Sequence, residues 1–270
     1  MSTAGMFLER VRRRFSVELA SRLRSRPITA LNQRPMISFT FDDVPESAVS
    51  SGASILLARG ARGTFYIAGG LCGTSGALYQ YLTPEQCIEL HRHGHEIGCH
   101  TFSHPNLRKL SGTELAREVA LNRQFFADLA QIPLDNFAYP SGATSIRRRL
   151  QLQSLFSSCR STVPGINAGT IDLDYLRAVE LCHRHTDLRQ VQDLIDAVVR
   201  ANGWLIFLTH DVTDNPTRWG CTPAFLAEVV ARALHSPCEI VTVRAALARA
   251  GSARGNASGA EFGQLSPGAA

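Results

Sequence analysis

The chain has 270 residues, 44% hydrophobic and 19% charged, with a formal net charge of +5; that length suits one domain with a sizeable core. Seven arginines against two glutamates between Met1 and Arg26 supply the whole excess, so the remainder is formally neutral and offers no basic face for nucleic acid. Cys72, Cys87, Cys99, Cys159, Cys182, Cys221 and Cys238 show neither a CxxC pair nor small-domain disulfide spacing, no apolar run approaches the ~18 residues of a membrane span, and the N-terminus lacks a secretory pattern, which together favour a reducing, cytoplasmic setting.

Residues 1–33 read as a basic amphipathic helix and linker. Phe7, Val11, Phe15, Leu19 and Leu23 fall at steps of four among the arginines, and Pro27 marks the end of the helix. Such a helix fits peripheral association with an anionic membrane surface through residues 1–26. The same stripe also fits packing on the body or a dimer contact, and nothing in the sequence sets the oligomeric state.

From 34 to 250, short β-rich runs alternate with helical patterns. The predicted strands are 36–41, 63–68, 95–99, 136–140, 157–162, 176–181, 204–209 and 238–243; clear helices cover 84–93, 112–130, 188–202 and 223–235. Seven or eight repeated β-α units predict a parallel sheet closed into a barrel rather than left open. Residues 251–270 are small and polar, with almost no apolar anchors, and read as a disordered tail.

Polar residues stand at the ends of these strands: Asp42 and Asp43 after the first, His100 and His104 after the third, Pro140 and Ser141 after the fourth, and His210 after the seventh. The C-terminal strand ends of a parallel barrel form one face, so residues far apart in sequence converge there. Either aspartate alone could cap a helix. Beside a second cluster, however, one carboxylate can bind a metal while its neighbour takes a proton. His100 and His104 are four residues apart, a spacing that brings both imidazoles onto one side of a helical turn. With Asp43 they give two nitrogens and one oxygen, a set that leaves a water position open on zinc or a similar divalent ion. Cys99 adjoins His100 but alternation in a strand turns it to the opposite face, into core packing. His91 and His93 lie on a polar helix end, where cations complement the dipole, His95 begins a strand, and His183, His185 and His235 have no partner at a recognisable spacing. His210 ends the most apolar strand, where an imidazole titrating near neutrality can serve as a general acid.

Thr40-Phe41-Asp42-Asp43, His100-Thr101-Phe102-Ser103-His104, Phe137-Ala138-Tyr139-Pro140-Ser141-Gly142 and Leu208-Thr209-His210 together resemble the polysaccharide deacetylase family, carbohydrate esterase family four, also called the NodB-homology domain, over about residues 35–248. The resemblance implies a distorted (β/α)7 TIM-like barrel in which Asp43, His100 and His104 hold a divalent metal: zinc first, with cobalt, manganese or nickel as alternatives. It implies Asp42 as general base, His210 as general acid, and the backbone N–H of Ser141 as an oxyanion donor. The expected activity is metal-dependent removal of N-acetyl groups from N-acetylglucosamine-type units of an oligosaccharide or polysaccharide, with release of acetate. Related amidase, deformylase or O-acetyl esterase chemistry, or a non-catalytic glycan-binding homologue, are the alternatives. The sequence departs from the family pattern at Ala138, where many members carry an arginine held against the catalytic aspartate, and at Ser141, where an aromatic residue is usual. Arg177 is the candidate replacement for the missing guanidinium. The usual Asp-x-Trp segment is absent, Asp172-Leu173-Asp174-Tyr175 occupies its approximate place, and the group orienting His210 is unassigned.

Overall fold

Seven short parallel strands form one curled sheet: β2 (Met36–Asp42), β3 (Thr64–Ile67), β4 (Glu96–Cys99), β5 (Asn136–Ala138), β6 (Ser158–Arg160), β8 (Val179–Glu180) and β9 (Trp204–Thr209), in the order β6-β5-β4-β3-β2-β9-β8. The computed structural model describes residues 24–251 except Leu31, His183 and Arg184. The expected basic helix, apart from its last residues, and the expected tail lie outside the described residues. The sheet's two edges meet through a parallel bridge between Arg160 and Leu176, where Leu176 N donates to Cys159 O and Ser161 N to Leu176 O. This is the distorted (β/α)7 barrel implied by the sequence motifs.

The helices arise where the sequence carries start signals. After a π-helical turn at Ala48–Ala53 and α1 (Ser54–Leu57) come α2 (Pro84–Arg92), α3 (Gly112–Ala130), α4 (Ile146–Gln153), α5 (Leu188–Arg200), α6 (Pro223–His235) and α7 (Val243–Gly251). Thr83 with Gln86, Ser111 with Glu114, and Asp187 with Gln190 form reciprocal capping boxes that satisfy backbone N–H groups at the starts of α2, α3 and α5. None of the described helices is long and apolar enough to cross a membrane.

Alternation along the strands separates two environments. Ile37, Phe39, Phe41, Phe65, Leu205 and Phe207 face the surrounding helices in the larger core, with Phe41 stacked on Phe65 at 4.5 Å. Met36, Leu176, Ala178, Trp204, Ile206 and Leu208 make a second apolar cluster inside the barrel. The same inward parity brings Asp42, His100, Arg160, Glu180 and His210 to the C-terminal mouth.

The predicted strand 238–243 is reduced to β10 (Glu239–Ile240), because the chain turns at Val243 into α7. The inward-facing Glu96 carboxylate accepts Arg244 N at 2.8 Å and Thr64 Oγ1 accepts Val243 N at 3.0 Å, so two barrel side chains hold the start of that helix. Two elements escape the sequence reading altogether: β1 (Pro27–Thr29) pairs antiparallel with β7 (Thr170–Asp172). Ile28 and Ile171 pack with Met36 and Trp204, at the end of the barrel opposite the mouth. Arg26 and Ser25 bind the fully buried Asp174 at 2.7 and 2.8 Å, so the last residues assigned to the basic arm are part of the barrel's closure.

Candidate active site

The strand ends after β2, β4, β5 and β9 deliver Asp43, His100, His104, Ser141 and His210 to one cavity of about 290 Å³. A larger groove of about 720 Å³ between α5 and α6 has no comparable cluster of ligating groups among the described residues. The loops at the mouth are held in sparsely populated backbone conformations. Asp43, Val44, Thr101, His104 and Ser141 all have positive φ, between 44° and 64°. For non-glycine residues this costs energy and concentrates where a site requires it. It also corrects the expected basis for the His100–His104 pair: residues 100–104 form a loop, not a helical turn, and left-handed Thr101 and His104 bring the rings to 4.9 Å between centroids.

Asp43 Oδ1 lies 3.4 Å from His100 Nε2 and 3.0 Å from His104 Nε2. His100 Nδ1 is 2.9 Å from the Ala138 carbonyl, which orients the ring so that Nε2 faces Asp43. Asp43 Oδ1 is buried without a well-formed hydrogen bond. Burial opposes its charge, but the two facing imidazoles overcome that and hold the carboxyl well below the usual range. Among the described residues, Asp43, His100 and His104 form the one group of three whose ligand atoms come within 4.8 Å of one another. Two imidazole nitrogens and a carboxylate oxygen that converge on a point without satisfying one another suit a divalent cation.

Asp42 points into the barrel and is 3% exposed. Both its oxygens are taken by Nη2 of Arg160. Arg160 is fully buried, donates through Nη1 to Ser161 O at 3.0 Å, and stacks over the Tyr66 ring at 5.0 Å. Arg177, the sequence candidate for this guanidinium, is instead exposed and donates to Pro164 O at 3.0 Å. Its parity explains the difference: inward-facing Leu176 and Ala178 flank it, so Arg177 faces outward. Arg160 sits inside a predicted strand in step with buried Ser158, and a lone arginine at an inward position is the signal that sequence reasoning missed.

His210 Nε2 is 4.0 Å from Asp43 Oδ2, and its Nδ1 is 3.3 Å from the carbonyl of Trp219. That carbonyl is placed by Asp211, which is 4% exposed and accepts Thr217 N and Thr217 Oγ1, both at 2.7 Å. A backbone carbonyl thus occupies the orienting position left open by the sequence. Asp172 and Asp174 serve elsewhere, with Arg149, Arg26 and Ser25. Tyr79 OH lies 3.3 Å from Thr217 Oγ1, joining two loops over the cavity, whose rim is finished by Leu78, Arg218 and Trp219.

The polysaccharide deacetylase family profile matches residues 31–155, which include Asp42, Asp43, His100, His104 and Ser141. Over that segment the chain matches the polysaccharide deacetylase family. A chitin deacetylase of Colletotrichum lindemuthianum is 24% identical over 191 residues, 69% of this chain and 71% of that protein. A chitin deacetylase of Arthroderma benhamiae is 32% identical over 94 residues, 34% of this chain; the match spans only 24% of that longer protein. The solved chitin deacetylase of the fungal pathogen C. lindemuthianum shares the fold with a TM-score of 0.59 at 18% identity, covering 83% of this chain and 92% of that structure. His210, Arg160 and Trp219 lie beyond the segment matched by the profile, so their place in the deacetylase cavity rests on the geometry alone.

Proposed function

We propose that this chain is a metal-dependent deacetylase that hydrolyses the N-acetyl group of N-acetylglucosamine-type units in an oligosaccharide or polysaccharide, releasing acetate and a free amine. The observation that carries this reading is the convergence, in one cavity, of a three-donor ligand set with a buried, arginine-held carboxylate on one side and an oriented imidazole on the other. Asp43, His100 and His104 would hold a divalent ion, zinc being the first candidate for this donor set. When bound there, it supplies Lewis-acid polarisation of the acetyl carbonyl and lowers the pKa of a coordinated water.

The chain's own groups handle the rest. Asp42, fixed by Arg160, accepts the proton of the attacking water. The N–H of Ser141, in a left-handed turn at the lip, donates to the carbonyl oxygen as it gains charge. His210, with Nδ1 against the Trp219 carbonyl, delivers the Nε2 proton to the departing nitrogen. Trp219 and Leu78, which is 63% exposed, offer apolar faces on which a sugar ring can rest. A glycan-binding protein without chemistry has little use for both an acid and a base. Acetate release from a panel of N-acetylated oligosaccharides, O-acetylated sugars and formamides tests the assignment; turnover of the last two classes without the first contradicts it.

A further inference from the structure

Glu180 faces the same cavity and takes no part in the chemistry described above. It ends β8, paired in register with Leu208 of β9, two residues before His210. Leu176 and Ala178, which precede it on the same parity, pack in the barrel's interior cluster, so its side chain projects inward at the mouth. The strand end is fixed: Leu181 N donates to Leu208 O at 2.7 Å, Thr209 Oγ1 to Leu181 O at 2.9 Å and Thr186 Oγ1 to Glu180 O at 2.6 Å. The carboxylate itself accepts no hydrogen bond and pairs with no cation among the described residues, although it lines the cavity with Thr162, Gly142 and His210.

A half-buried carboxylate that faces a binding cavity without a partner is solvated only while the cavity is empty. A substrate that covers it must bring donors, because desolvating a charge without compensation is costly. A pocket with such a group therefore rejects analogues that lack the donor. On the deacetylase reading above, the donors available are the hydroxyls of the ring bearing the acetamido group. We infer that Glu180 is a specificity-determining residue whose carboxylate accepts a hydrogen bond from a hydroxyl of the sugar unit being deacetylated.

The test uses Trp219 as a fluorescent reporter in the cavity and the full metal-loaded chain, with stopped-flow titration of an N-acetylglucosamine oligomer and of analogues lacking the C3 or the C6 hydroxyl. A hydrogen bond to a charged group predicts that Glu180→Ala weakens Kd for the parent oligomer about tenfold or more, with Glu180→Gln between the two. One deoxy analogue should bind the wild type about as weakly as the parent binds Glu180→Ala, and should lose nothing further in the variant. A Kd in Glu180→Ala within twofold of wild type, or additive losses for both analogues, overturns the inference. So does a larger loss for the fully deacetylated, cationic oligomer than for the acetylated one. A wild type that binds the oligomer through Glu180 but releases no acetate contradicts the deacetylase reading and leaves the Glu180 contact standing.

Discussion

Replacing Arg160 by methionine, which keeps much of the volume and removes the charge, isolates the group that holds Asp42. Both partners are inside the barrel, Arg160 fully buried and Asp42 3% exposed, and both oxygens of Asp42 go to one guanidinium nitrogen. Bulk water cannot replace that partner. Breaking a buried pair from one side typically costs about 3–5 kcal/mol, because the remaining charge is left uncompensated. On the proposed mechanism the base, Asp42, is mispositioned as well, and a positioned base is worth about 100-fold to 10,000-fold in rate. Arg160→Met should therefore lose at least about 100-fold in kcat for acetate release, with KM little changed and the metal still bound. Arg160→Lys, which restores charge but not the paired contact, should recover part of the rate. Arg177→Met should stay near wild type. Urea denaturation followed by circular dichroism gives the stability loss, and steady-state acetate release the rate. If Arg160→Met keeps kcat within threefold while Arg177→Met loses it, the guanidinium that serves Asp42 has been misassigned.

Asp211→Ala should free the Trp219 carbonyl and lower kcat about tenfold or more without changing metal content; unchanged kcat across the pH range would show that the carbonyl does not orient His210. His95 is buried with Nδ1 accepting Gly63 N, and burial, aided by the Arg62 and His93 charges, pushes its imidazole down from 6.5 to about 4. The fold thus favours neutral His95, so the stability it contributes is present above about pH 6.5 and is lost as pH falls towards about 4. His95→Gln should flatten the fall in urea midpoint across that window, and an equally steep fall in the variant contradicts the assignment. We further propose that the basic segment preceding Ser25 binds anionic membranes, each basic residue near the surface adding about 1 kcal/mol. Because Ser25 and Arg26 anchor at the end of the barrel opposite the mouth, deleting residues 1–23 should abolish sedimentation with anionic liposomes at low salt and spare turnover of a soluble oligosaccharide. Absence of sedimentation by the full chain rules out that attachment.

Much of the barrel was legible because its central strands are continuous apolar runs: 36–41 and 204–209 form strands almost to the residue. The helices at 84, 112 and 188 were read from their helical patterns, and the capping boxes at their starts agree with that reading. By contrast, β1 and β7 are three residues each, too short to show alternation, and exist because tertiary packing and the Arg26–Asp174 pair hold them. At the mouth, residue types and spacing pointed to Asp43, His100 and His104, although a left-handed loop rather than a helical turn brings the histidines together. Arg160 was missed because an arginine in a strand reads as an interruption until the barrel's inward parity is known. The carbonyl of Trp219 was not legible at all: a backbone acceptor leaves no trace in residue identity, and its position depends on the Asp211–Thr217 turn.

The most direct measurement is a metal titration of acetate release from an N-acetylglucosamine oligomer, begun with protein freed of divalent ions by a chelator. Turnover should be absent at the start, rise linearly and level off at one equivalent of zinc or another competent divalent ion per chain. In His104→Ala the same titration should restore less than about one hundredth of that plateau. Full turnover in the chelated wild type, or a normal plateau in His104→Ala, would contradict metal-dependent deacetylation at this cavity.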